Sequence, residues 1–243
     1  MRDSMWPLKN NYKHMKYIIV GMGNFGAFLA TRLTDLGHEV VGVDSSSSRI
    51  ELIQDKITHA IVLDATDLQA VKTLPMKDCD VVVIAIGEDV GASIMTTAIF
   101  KQMNAKRIIG RAINSVQETV IRAIGVDEII HPEEETAQRL TTRLELKGVL
   151  DSLEISDDYN IVEVKLPKRY IGVSVVEANL RKEFGLNILS TIQMVEKSNL
   201  VGIRTVKKHV SGVLDANYVF GSEDILLIFG MVKDIQKFLN LES

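Results

Sequence analysis

The hexapeptide Gly21-Met22-Gly23-Asn24-Phe25-Gly26, with Asp44 standing 18 residues after its last glycine, is the spacing with the clearest chemical use in this 243-residue chain. A β-branched run, Tyr17–Val20, precedes the hexapeptide, and apolar residues at helical spacing follow it. In such a strand-to-helix turn Gly21 permits the tight bend and Gly23 lets a pyrophosphate approach the backbone. Gly26 lets the helix lie close to the sheet, while the helix N-terminus faces the phosphate charge. Asp44 ends the next strand candidate, where a carboxylate accepts hydrogen bonds from both ribose hydroxyls and repels a 2′-phosphate. Together these residues predict a site for an adenine nucleotide, ATP, ADP or NAD(H), with NADP disfavoured. A glycine triplet alone would fit a plain strand–helix turn equally well. Ser45–Ser48 and Arg49 pull the other way, since hydroxyls and a guanidinium can hold a 2′-phosphate, but Asp44 outweighs them.

Three more clusters fall where strands should end. Asp64-Ala65-Thr66-Asp67 follows the third strand candidate; the Asp64 carboxylate could accept the adenine amino proton while Asp67 caps the next helix, or the whole could be a capping turn only. Ala85-Ile86-Gly87-Glu88 follows the fourth, where Gly87 would let backbone approach a ligand. Arg111 ends the fifth and is the cation placed to meet phosphates, with a solvated surface arginine as the alternative. Groups that would do chemistry on a bound nucleotide are not apparent. A hydride-transfer enzyme needs a proton donor beside the nicotinamide. The Tyr-x-x-x-Lys spacing, Tyr12 to Lys16, precedes the first strand, and the five histidines, His14, His38, His59, His131 and His209, show no metal-ligand spacing. No nucleophile–base pair or phosphate-loop lysine is evident.

These residues need a scaffold, and the pattern supplies one. Strand candidates Tyr17–Val20, Glu39–Val43, Ala60–Leu63, Asp80–Ile86, Arg107–Gly110 and Glu128–Ile130 are apolar on both faces, as parallel strands covered by helices on each side must be. Helical segments Asn24–Gly37, Ser46–Asp55, Asp67–Thr73, Asp89–Met103 and Ser115–Gly125 alternate with them. Gly37 and Gly125 sit where helices stop, and Asp67, Asp89 and Ser115 where they could be capped. Strict alternation predicts an α/β doubly wound parallel Rossmann sheet. Pro132 and three glutamates open a further helix to about Leu146. With no strand left to cross to, its Ala137, Leu140, Leu144 and Leu146 need another surface; a second subunit is expected to supply it, giving at least a dimer, with packing back on the same sheet as the alternative. The expected organisation is a tail at 1–15, a Rossmann domain with its interface helix at 16–150, a linker at 151–158 and a small α+β domain at 159–243. The last is read as strand Tyr159–Leu166, helix Val175–Phe184, strand Asn187–Val195, a loop, strand Ile225–Phe229 and helix Val232–Leu241.

The totals agree with a non-membrane chain of ordinary charge. The net charge is −4, with 17 basic and 19 acidic residues up to Leu150 and 11 and 13 after it, so neither half carries the basic excess expected of a nucleic-acid binder. Cys79 is the sole cysteine, which removes intramolecular disulfides and thiolate clusters for zinc from consideration and favours the cytosol. The longest apolar stretches, around Val81–Ile86 and Ile225–Val232, fall well short of the roughly 20 residues a membrane helix needs. Met1–Met15 has no apolar run and does not read as a signal peptide.

With these residues in view, the chain resembles the regulator-of-potassium-conductance (RCK) proteins of bacterial potassium uptake, the TrkA/KtrA type, from about Met15 to Leu241. The resemblance rests on Tyr17–Gly26, Val41–Asp44, Leu63–Asp67, the Ala85–Asp89 turn and Ile129–Glu133. In the second domain it rests on Ile171-Gly172-Val173-Ser174, Asn179-Leu180-Arg181 and Gly221–Gly230. It implies an RCK N-terminal domain followed by an RCK C-terminal domain, in a non-catalytic cytoplasmic subunit. That subunit assembles from dimers into a ring, often an octamer, beneath a membrane potassium-conducting subunit of the TrkH/KtrB type. Nucleotides bound in the Rossmann domains would change the ring and hence the flux. Carried over, the resemblance implies Asp44 on the ribose, Asp64 on the adenine, Gly23–Gly26 and Arg111 on the phosphates, and Glu133 near the subunit interface and a ligand or divalent cation. Asn24 departs from the arginine that ATP-sensing relatives carry there, which puts ATP preference in doubt. Some relatives bind a cyclic dinucleotide in the second domain; Asn187–Val195 shows no charge pattern for it and reads as a subunit-pairing strand. The alternatives are a NAD-dependent oxidoreductase with unrecognised catalytic residues and, weaker, a nucleotide-responsive transcription regulator.

Overall fold

A computed structural model describes residues 14–198 and 204–240. The chain divides into two compact units, up to Glu133 and from Glu134. In the first unit β1 (Lys16–Val20), β2 (Glu39–Asp44), β3 (His59–Val62), β4 (Val81–Ile84), β5 (Ile108–Arg111) and β6 (Glu128–Ile130) alternate with α1 (Asn24–Asp35), α2 (Ser47–Ile53), α3 (Leu68–Val71), α4 (Val90–Gln102) and α5 (Ser115–Ile124). The strands lie in the order β3-β2-β1-β4-β5-β6 and every pairing is parallel. The continuous apolar runs have a direct explanation in the packing. Ile18, Val20, Val41, Val43, Val82 and Ile84 belong to one buried cluster, whereas their neighbours Ile19, Val40, Val81 and Val83 belong to another. Successive side chains of a strand point to opposite faces, so both faces are covered. The order reverses between β1 and β4, which puts a crevice at the C-terminal ends of those two strands.

Local signals place the helices. The Asp67 carboxylate accepts from the Gln69 amide and that of Asp89 from the Ala92 amide, each capping the helix that follows. Asn114, not Ser115, caps α5, accepting from the Gln117 amide; its short amide-bearing side chain stands one residue earlier. Gly125 closes that helix in the left-handed conformation at φ 90°. The predicted fourth strand, Asp80–Ile86, is shorter because Ala85 and Ile86 already belong to the turn.

Helix α6 (Pro132–Glu145) contains the division between the units. In the second unit β7 (Val149–Ser156), β8 (Tyr159–Lys165), β9 (Asn187–Ser198), β10 (Arg204–Val210) and β11 (Ile225–Met231) form a sheet of order β10-β9-β11-β8-β7. All its pairings are antiparallel. With the short helices α7 (Val175–Ala178) and α8 (Leu180–Phe184) and the closing α9 (Val232–Leu239), it buries Val162, Val164, Leu186, Leu226, Ile228 and Phe238 in one core.

Four expectations need correction here. The polar stretch 151–158 is not a linker but most of β7 and the turn after it, and the units part at Glu133/Glu134 rather than near Leu150. The strand reads as polar because it lies at the edge of its sheet, where Leu153 to Ser156 are exposed on both faces in succession. Helix Val175–Phe184 is broken at Asn179, whose φ of 48° is left-handed. The stretch 204–210, read as loop, is strand β10, zipped to β9 from Arg204–Ser198 to Val210–Ile192. Leu146, expected at a subunit interface, is buried in the second unit's own core, whereas Leu140 and Leu144 of α6 are exposed. The residues before His14, residues 199–203 and those from Leu241 on lie outside the described residues.

The first unit depends on two glycines touching. Gly21, at φ 99°, turns the chain out of β1, and a Cβ on Gly26 would lie 1.9 Å from the Gly21 carbonyl oxygen. The obstacle is backbone, which a rotamer change cannot relieve. Gly26→Ala is therefore expected to lose about 3 kcal/mol or more, the upper range of overpacking costs. Thermal unfolding checks this; a midpoint within 2 °C or so of wild type would refute the close-approach account.

Candidate functional site

The crevice is built on the loop between β1 and α1. The Gly21 amide donates to the Val43 carbonyl at 2.8 Å, tying the loop to the end of β2. One residue on, the Met22 amide donates to Asp44 Oδ2 at 2.7 Å, and the Ser46 amide donates to Asp44 Oδ1 at 2.9 Å. Asp44 is 6% exposed, so its charge is held by directed backbone N–H groups rather than by water. An ionised carboxylate offers about four acceptor sites, leaving room for further donors beside these two. No side chain caps α1, and Gly23 stands at its N-cap with φ −67°, a conformation any residue adopts. A Cβ on Gly23 would meet nothing within 4 Å. The smallness of Gly23 thus serves open space at an uncapped helix N-terminus, where an anion is stabilised.

The other predicted residues on this side fall around the same edge. Arg49, in α2, has Nη1 at 3.6 Å from Asp44 Oδ2 and Nη2 at 3.3 Å from Glu88 Oε2. Ser45 is exposed beside it. After β3, Ala65 is buried while the Thr66 hydroxyl and amide both donate to Asp64 Oδ1, at 2.7 and 2.9 Å. Those bonds, the hydroxyl's first, hold the exposed Asp64 carboxyl below the usual range, so at neutral pH it is an acceptor only.

Arg111 is not a solvated surface arginine. Its side chain is 16% exposed and pairs with Glu133 through Nη2, while Nη1 donates to the Ala85 carbonyl at 3.2 Å. Its guanidinium lies 5.7 Å from the centre of the Phe25 ring, and its Nε is buried without a hydrogen-bond partner. Gly87 has a role the sequence did not show: a Cβ there would lie 2.6 Å from the Arg111 guanidinium carbon. The glycine makes room for Arg111 itself. Ala85 is buried and Ile86 half-buried in the same turn, and Asn24 is exposed at the start of α1. Behind the site, Gln117 donates to the Ser93 hydroxyl at 3.0 Å and to the Arg111 carbonyl at 3.1 Å, fixing α4, α5 and the end of β5 together.

The contacts of Glu88 with Arg49 and of Phe25 with Arg111 had no sequence signal, since each joins elements far apart in the chain. Tyr12 of the Tyr-x-x-x-Lys spacing lies outside the described residues. Among the described residues no group of three or more His, Cys, Asp or Glu could hold a metal ion, and no helix is long and apolar enough to cross a membrane. Asp44→Ala would orphan the Met22 amide at a buried position and is expected to cost about 1–3 kcal/mol of stability on its own. Chemical denaturation of the apoprotein measures this; no loss would mean that the carboxylate does not hold the loop.

Comparison with known proteins places this geometry. The TrkA-N domain family model matches residues 17–132. The Ktr system potassium uptake protein C of Bacillus subtilis (strain 168) is 32% identical over 223 residues, covering 92% of this chain and 95% of that protein. The Ktr system potassium uptake protein A of the same organism is 29% identical over 230 residues, covering 94% and 97%. Among solved structures, the GsuK RCK domain superposes with a TM-score of 0.61 at 14% identity, over 96% of this chain and 48% of that one. The GsuK channel bound to NAD gives 0.60 at 13%, over 95% of this chain and 40% of that one. These structures share the fold, and the chain spans less than half the length of either. On the strength of the near full-length likeness to the Bacillus proteins, this chain belongs to the Ktr family of potassium uptake proteins.

Proposed function

We propose that the chain is a nucleotide-sensing regulatory subunit of a bacterial potassium uptake system, performing no chemistry on its ligand. The observation that carries the nucleotide part is the open space at Gly23, at the uncapped N-terminus of α1 and next to the loop that buried Asp44 holds. In this reading Asp44 takes the ribose hydroxyls and Asp64 accepts from the adenine amino group. The amides of Gly23–Gly26 take the phosphates, and the Arg111 guanidinium, over the Phe25 ring of the same loop, supplies positive charge to that anion. The ligand is an adenine nucleotide, ATP, ADP or NAD(H), with NADP disfavoured by Asp44; the GsuK channel, of like fold, is among those solved with NAD. Asn24 offers no positive charge, so affinity does not hang on a γ-phosphate.

The regulatory part follows from the family and from physics together. A chain that binds without reacting acts only through different affinities for two conformations. Moving a gate from mostly closed to mostly open takes about 5.5 kcal/mol in all, so a ring of about eight sites needs less than ~1 kcal/mol from each. The ring would be built from dimers through α6, which exposes Leu140 (47%) and Leu144 (76%), and Glu133 at its start joins that helix to Arg111. It would dock on the inner face of a membrane potassium-conducting subunit of the TrkH/KtrB type and be cytoplasmic.

Gly23→Ala tests the site without the stability cost attached to Asp44. Because nothing stands within 4 Å of the new Cβ, the unfolding midpoint should stay within about 2 °C of wild type. Calorimetric affinity for ADP and NADH should fall at least ~10-fold, or about 1.4 kcal/mol. Full affinity in the variant, or no binding by wild type, would sink the assignment.

A further inference from the structure

Arg49 lies between two carboxylates that belong to different crossings of the sheet. Asp44 ends β2 and Glu88 follows β4, the two strands that flank β1. With Nη1 3.6 Å from Asp44 and Nη2 3.3 Å from Glu88, the guanidinium reaches from one side of the crevice to the other. The Glu88 side chain is 91% exposed, so its place against Arg49 is set by charge and not by packing. An arginine at this end of a Rossmann crevice is the group that accommodates a ribose 2′-phosphate, because its planar fork matches the phosphate oxygens. Here one Nη of that fork faces each carboxylate.

Resting on the nucleotide reading above, we propose that Glu88 is a specificity-determining residue of the site. By holding Arg49 against Asp44 it denies the guanidinium to a 2′-phosphate and selects nucleotides whose ribose 2′-hydroxyl is free. Charge balance points the same way. Two carboxylates around one guanidinium leave a net −1, into which a 2′-phosphate would bring nearly two more negative charges. Neutralising Glu88 leaves Arg49 and Asp44 matched and frees Nη2 to donate. Exposed ion pairs are weak, so the selectivity supplied by Glu88 is a few-fold on top of that from Asp44.

The test compares 5′-AMP with 2′,5′-ADP, which differ only by the 2′-phosphate, in competition calorimetry at low ionic strength. The readout is the ratio of the two affinities in each protein. Wild type should favour 5′-AMP, and Glu88→Gln should shrink that preference about twofold to fivefold. The double variant Arg49→Ala/Glu88→Gln should return the preference to the wild-type value or beyond. An unchanged ratio in Glu88→Gln overturns the proposal, as does a gain that persists without Arg49, while the nucleotide reading survives both. If wild type binds neither compound, the nucleotide reading falls and takes this proposal with it.

Discussion

A carboxylate with almost no access to water must be held by donors, and in this chain the donors are backbone amides of the very loops it organises. Asp44 is 6% exposed and accepts from Met22 in the glycine loop and from Ser46 at the start of α2. Both bonds are charge-assisted, and losing the acceptor would leave the buried Met22 N–H without its partner. The end of β2, the turn out of β1 and the first turn of α2 are therefore one mechanical piece. The approach of Gly26 to Gly21 then brings α1 down on that piece, so that its N-terminus opens beside Gly23. A ligand meets a shape already formed, which is the condition for binding without a large ordering cost.

Two guanidinium groups connect this piece to the rest of the unit, and they differ in kind. Arg49 is half exposed and bridges loops through charge alone. Arg111 is nearly buried and is wedged by the Phe25 ring, the Ala85 carbonyl and the missing side chain of Gly87, with Glu133 as its ion-pair partner. Since Glu133 stands at the start of α6, an anion that competes for Arg111 acts on that helix through a direct contact. Within the first unit, the end of β5 and the first turn of α6 are thus joined by one ion pair.

The Rossmann order was legible because parallel strands covered on both faces must be apolar throughout, and Tyr17–Val20, Glu39–Val43 and Val81–Ile84 leave little other choice. The second unit was less legible for the converse reason. β7 and β10 lie at the edges of a sheet with exposed positions, so residues such as Glu154, Lys207 and Lys208 dilute the strand signal. The break at Asn179 was hidden because both halves of the segment form helix and only a left-handed asparagine parts them. At the site, positions fixed by a backbone requirement, Gly21, Gly26 and Asp44, were readable from spacing. Those fixed by contacts between elements separate in the chain were not: Gly87 yields to Arg111, and Glu88 meets Arg49 39 residues away.

The proposed function requires that a bound nucleotide change potassium movement through a separate membrane protein. Potassium flux into vesicles that hold the membrane subunit, with and without this chain and titrated with ATP, ADP and NADH, measures that most directly. Flux should change when the chain is added and then differ between at least two of the nucleotides. Flux that ignores the chain and every nucleotide alike would contradict the proposed function.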